Sequence, residues 1–98
     1  MHVRLTEDAQ SDLDAIKGYI EPRSPQGFKR IFSAIFSTLA QLESHPFLGH
    51  DGRVEGTREV IVPRTPFIIV STLNEPSHID IDRILHGRRR YPLADENR

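Results

Sequence analysis

Gly56-Thr57-Arg58-Glu59-Val60-Ile61-Val62-Pro63-Arg64-Thr65-Pro66-Phe67-Ile68-Ile69-Val70, with Ile84-Leu85-His86-Gly87-Arg88-Arg89-Arg90-Tyr91-Pro92 further on, decides the fold. The first stretch predicts a β-hairpin over 57–62 and 66–73 that turns at Pro63-Arg64-Thr65. A third strand is expected over 78–85, reached through the turn residues Asn74-Glu75-Pro76-Ser77. Short connections make these three strands an antiparallel meander. Side chains alternate along a strand, so Phe67 and Ile69 share one face while Ile68 and Val70 share the other. Val60 and Val62 oppose Ile61 in the same way. A sheet with one wet face reads polar on that side. Here both faces are apolar, which calls for a cover on each. A partner chain and the protein's own C-terminal tail are both open as the second cover.

Upstream of the hairpin the periodicity changes. His2-Val3-Arg4-Leu5 alternates as a short strand does. Thr6 is a good helix N-cap, and Glu7 and Asp8 put negative charge in the first turn, where the helix dipole favours it. Ala9, Leu13, Ile16 and Ile20 then form one apolar stripe. This helix is expected to stop before Pro22. Ser24 and Pro25 restart the pattern as N-cap and first helical residue. Phe28, Ile31, Phe32, Ile35, Phe36, Leu39 and Leu42 form a broader stripe, closed by His45-Pro46. Residues 46–56 read as a loop. The order β-α-α-β-β-β predicts an α+β domain, a helical hairpin packed on one face of a mainly antiparallel sheet.

Ninety-eight residues fit one domain, 1–98, with its core over about 2–92 and a short C-terminal tail. The chain has no cysteine, which excludes disulfides and thiolate metal sites. No apolar run is long enough for a signal peptide or a membrane span, so a cytoplasmic location is expected. The net charge of -1 hides an asymmetry. Glu7, Asp8, Asp12, Asp14 and Glu21 come early, whereas Arg83, Arg88, Arg89 and Arg90 crowd near the end.

Several residues are candidates for chemistry. Histidine as a side chain can exchange a proton near neutral pH, and the arginines beside His86 can hold a phosphate. Arg83, His86, Arg88 and Tyr91 would supply the base, acid and cations of metal-free RNA cleavage. The alternative for His86 is a strand-end histidine bonded to a loop. Arg83, on the alternation of Ile79 and Ile81, has a structural alternative in an ion pair with an acid such as Glu59. His45, His50 and Asp51 lack a second cluster to complete a metal site. No metal and no cofactor are expected. Two tyrosines and no tryptophan make a poor stacking platform for single-stranded nucleic acid.

Taken together, Asp12-Leu13-x-x-Ile16-x-x-Tyr19-Ile20, Pro25, Leu42-x-x-His45-Pro46-x-x-Gly49, Gly56-Thr57-Arg58-Glu59, Thr65-Pro66-Phe67-Ile68-Ile69-Val70 and Ile84-Leu85-His86-Gly87 resemble the RelE/ParE toxin superfamily, closest to its ParE branch. The resemblance spans about residues 3–92. It implies the toxin of a bacterial type II toxin–antitoxin module, neutralised by a ParD-like antitoxin whose extended segment wraps it. It further implies DNA gyrase as a protein target, and no sequence-specific nucleic-acid binding by the toxin alone. The ribonuclease branch typically has an arginine near Thr65-Pro66-Phe67 and a lysine-rich preceding loop; this chain offers only Arg53 there. Ribosome-dependent mRNA cleavage is therefore the alternative, with Arg83, His86 and Tyr91 as its candidate residues. For the binding function, Arg58, Glu59, Phe67 and Arg88-Arg89-Arg90 are the expected partner contacts.

Overall fold

The computed structural model describes residues 1–87. Two helices, α1 (Glu7–Arg23) and α2 (Pro25–Ser44), lie against a sheet built from β1 (His2–Leu5), β2 (His50–Asp51), β3 (Thr57–Ile61), β4 (Phe67–Asn74) and β5 (His78–His86). The strand order is β1-β5-β4-β3-β2. β3, β4 and β5 form the expected antiparallel meander, and β1 adds in parallel beside β5. The α+β architecture anticipated above is thus present.

Both helix starts follow from their caps. Thr6 Oγ1 accepts from the Ala9 N–H and donates toward the Ile81 carbonyl at 2.9 Å, so one hydroxyl starts α1 and ties it to β5. Ser24 is the whole linker between the helices. Its N–H closes α1 on the Ile20 carbonyl, and its Oγ opens α2 by accepting from the Gly27 N–H.

α1 runs through Pro22 instead of stopping before it. Proline removes one helical hydrogen bond, but the helix ends a residue later, so little is lost. Arg23 Nη1 also donates to the Tyr19 carbonyl at 2.7 Å, supporting that last turn.

The core sits between the helices and one face of the sheet. Ala9 and Leu13 from α1, and Ile31, Ile35, Leu39 and Leu42 from α2, meet Val60, Val62, Phe67, Ile69, Ile79, Ile81 and Ile84. Phe36 departs from the expected stripe, being 50% exposed. It extends a ladder of rings along α2, with Phe28–Phe32 centroids 4.6 Å apart and Phe32–Phe36 centroids 6.0 Å apart.

The opposite face is less open than the apolar pattern suggests. Val70 and Leu85 point away from the helices yet are buried, while Ile61 remains 63% exposed. The expected loop 46–56 also contains a strand. β2 pairs His50 with Glu59 and Asp51 with Arg58. Gly49, at φ 94°, lets the chain turn into this pairing, where a Cβ would lie 2.3 Å from the Glu59 carbonyl oxygen.

Candidate functional site

Two places on the sheet gather the charged residues singled out in the sequence. The first is the edge of β5. β1 covers that edge only as far as the Leu5–Ile81 pair. Beyond it α1 passes, and Asp12 takes over the role of the missing strand. Its Oδ2 accepts from the Ile84 N–H at 2.9 Å. The same carboxylate receives Arg83 Nε at 2.9 Å and Nη2 at 3.0 Å, a forked pair. The two side chains are only 12% and 16% exposed.

This replaces the Arg83–Glu59 pairing considered from sequence. A bulge at Val70/Ser71 leaves Asp82 unpaired in the ladder, so Arg83 is set opposite Val70, off the face of Ile79 and Ile81. Glu59 is instead buried and accepts from the Arg53 N–H at 3.1 Å.

Beside the bulge lies a second acidic group. Thr72 Oγ1 donates to Asp82 Oδ2 at 2.5 Å, and Asn74 Nδ2 donates to Asp80 Oδ2 at 2.6 Å. Arg4 Nε and His78 Nε2 approach Asp80 Oδ1 at 3.2 Å and 3.4 Å. Burial holds the Asp82 carboxyl above its ordinary value of 3.8; the Thr72 hydroxyl pulls it down and the Asp80 charge pushes it up. The folded chain therefore binds more protons at Asp82 than the unfolded chain just above that value. Stability contributed by this site falls as pH rises from 3.8 through the raised folded value. Asp82→Asn, which can still accept from Thr72, is expected to raise the melting temperature at pH 7 and to give no gain near pH 3. A gain of equal size at both pH values would show that burial of the charge is not the cause.

The second place is the β2–β3 end of the sheet. Arg58 Nη1 donates to Asp51 Oδ1 at 3.0 Å and Nη2 to the Gly49 carbonyl at 2.8 Å, which fixes the 47–52 turn. Its guanidinium lies 5.9 Å from the ring centroid of Phe47, itself 63% exposed. Arg58 Nε is buried without a hydrogen-bond partner.

With this geometry in place, the likeness to known proteins is specific. The family model for the ParE toxin of the type II toxin-antitoxin system, parDE, matches residues 3–91. The chain belongs to the ParE toxin family. It is 29% identical over 90 residues to "Putative toxin Y4kP" of Sinorhizobium fredii (strain NBRC 101917 / NGR234), with 92% of each chain covered. In fold it is similar to a chain of the chromosomal ParDE TA system from P. aeruginosa, with a TM-score of 0.66 at 24% identity, covering 88% of this chain and 95% of that one. A ParE family member comes with an antitoxin as partner, by the family's own description. Among the described residues, no helix is long and apolar enough to cross a membrane, and no group of three or more His, Asp or Glu side chains converges to hold a metal.

Within this ParE frame the expected residues separate. Phe67 shares the helix-facing side of β4 with Ile69 and is 7% exposed, so its ring is core and not surface. Glu59 is 4% exposed. Of the expected contacts among the described residues, Arg58 alone reaches solvent, with 23% of its side chain exposed. His86 pairs with Phe67 across the strands and packs edge-on to its ring, centroids 5.8 Å apart. Arg88, Arg89, Arg90 and Tyr91 lie outside the described residues. Asp12 was missed as a site residue. Its partner is 71 positions away, and only the acid's place in the helix that follows β1 could have hinted at it.

Proposed function

We propose that this ParE-family chain is a toxin that acts by binding, with DNA gyrase in the cytoplasm as its target, and that a ParD-like antitoxin neutralises it. The observation that carries the reading is the engagement of Arg83. A ribonuclease of this fold needs cations directed at a phosphate, whereas Arg83 is forked onto Asp12, whose carboxylate also holds the Ile84 N–H at the sheet edge. The absence of an arginine at Thr65-Pro66-Phe67 supports the same side. Arg58 and the Arg88-Arg89-Arg90 cluster are the proposed contact residues. Glu59 and Phe67 are buried in β3 and β4 and are not proposed as contacts.

The test places purified protein in a gyrase supercoiling reaction and, separately, in a translation reaction with a reporter mRNA. Inhibition of supercoiling by both the natural chain and His86→Ala is the expected result. Codon-dependent mRNA cleavage that disappears in His86→Ala would overturn it. For neutralisation, co-expression with the product of an adjacent reading frame is expected to restore growth and to co-purify with the toxin.

A further inference from the structure

Between α2 and the β3–β4 turn runs a trough made of two adjoining cavities. In the first, ≈ 490 Å³, Arg30, Ser33 and Ser37 of α2 face Pro63 and Arg64 of the turn. The second, ≈ 310 Å³, shares Thr38, Gln41 and Pro63 with it and runs on past Leu48 and Val60. Arg30, Ser33, Ser37 and Gln41 follow one another at about one helical turn, so they form a single polar row along the trough. Lys29 precedes that row, and α2 has no acid before Glu43. Among the described residues no carboxylate lines the first cavity, and neither arginine has one as an ion-pair partner.

Arg64 is held in a backbone conformation that a side chain does not favour. Pro63 and Arg64 are the central residues of a turn closed by the Thr65 N–H on the Val62 carbonyl at 3.2 Å. With proline first and a φ of 61° second, the turn has the type II pattern, whose second position suits glycine. An arginine there carries local strain, and strained residues of this kind cluster at ligand sites. The helix braces it: Arg30 Nη1 donates to the Arg64 carbonyl at 2.9 Å. That bond brings the two arginines together and fixes the direction of the Arg30 guanidinium.

We propose that the trough binds a nucleoside diphosphate, with its phosphates between Arg30 and Arg64 and its base at the Gln41 end. Such a site goes beyond the toxin function proposed above and does not depend on it. The guanidiniums come from opposite walls, with two serine hydroxyls beside one of them, an arrangement that suits a phosphate accepting hydrogen bonds on several sides. The other end matches a base. Leu48 and Val60 give it an apolar floor, and the Gln41 amide offers both a donor and an acceptor. Arg30 and Thr38 lie about 12 Å apart along the helix at its rise of about 1.5 Å per residue, farther than one phosphate reaches. A bare anion would fill the arginine end alone.

The test follows backbone amide shifts of the isotope-labelled full chain as ADP is added. Shifts confined to 30–41, 48 and 60–64 are expected. Pyrophosphate, which lacks the base, and adenosine, which lacks the phosphates, are each expected to bind at least about tenfold more weakly. Arg64→Gly separates binding from folding. Glycine is at home at φ 61°, so the melting temperature should hold or rise. ADP affinity should nonetheless fall at least about tenfold, the loss of a charge-assisted hydrogen bond. An arginine that served only the turn would leave affinity unchanged. Arg30→Gln, at an exposed helix position, repeats the test without altering the turn's own sequence and is expected to weaken ADP to a similar degree. No shift at millimolar ADP, shifts elsewhere on the molecule, or undiminished binding by either variant would overturn the proposal. So would pyrophosphate binding as tightly as ADP, since the trough would then be an anion pocket only. Tighter binding of a single-stranded RNA oligonucleotide across the same residues would overturn it too, because the trough would then follow a nucleic-acid backbone.

Discussion

Asp12→Ala is expected to lower the unfolding free energy by about 3 kcal/mol, the range for removing one partner of a buried, hydrogen-bonded ion pair. Three hydrogen bonds end on that carboxylate, two from Arg83 and one from the Ile84 N–H. Alanine leaves the strand-edge N–H without its acceptor and Arg83 without its counter-charge. In a domain of this size the melting temperature should fall by roughly 12–24 °C. Asp12→Asn keeps an acceptor for Ile84 and loses only the charge, so it should fall between the two. Denaturant titration of the three proteins measures the series. A loss under about 1 kcal/mol for alanine would mean that the pair behaves as a solvent-screened surface bridge.

Ile35→Ala should be as damaging for a different reason. Ile35 is fully buried at the middle of α2, where the helix meets Val60, Ile69 and the rest of the core. Truncation removes three carbons from water-free packing and leaves a cavity that a rigid sheet cannot close, a loss of about 2–5 kcal/mol. Its neighbour supplies the control. Phe36 is a larger apolar side chain but half exposed, and Phe36→Ala should cost no more than about 1 kcal/mol. If the two substitutions destabilise equally in chemical denaturation, the helix is rotated relative to the arrangement described here.

These two sites mark what local sequence can and cannot show. Ile35 was legible, since apolar spacing along α2 places it toward the sheet. So were the caps: Thr6 and Ser24 begin helices because their hydroxyls accept backbone N–H groups, and that chemistry needs no distant partner. The hairpin turn at Pro63-Arg64-Thr65 was equally local. Arg83 was not. Its facing depends on a bulge, and a bulge exists only between two paired strands. The two-residue β2 was invisible for the same reason, being too short for alternation and held by Arg58 reaching back to Asp51 and Gly49. Alternation grouped Phe67 with Ile69 without saying which face the helices cover, and they cover that one. Phe36 failed in the opposite sense, because seven apolar positions along α2 are more than one contact face can bury.

The strand order has a consequence for synthesis. β1 is made first, but its hydrogen-bonding neighbour is β5, the last strand described, 76 residues later at the Arg4–Asp80 pair. At roughly 5–20 residues per second, translation separates the two by about 4–15 s. During that interval α1 and α2 have no completed sheet to lie on. The β1–β5 edge pairing can close only once β5 has been made, so a product that stops before β5 leaves both β1 and the Asp12 carboxylate without the strand they hold.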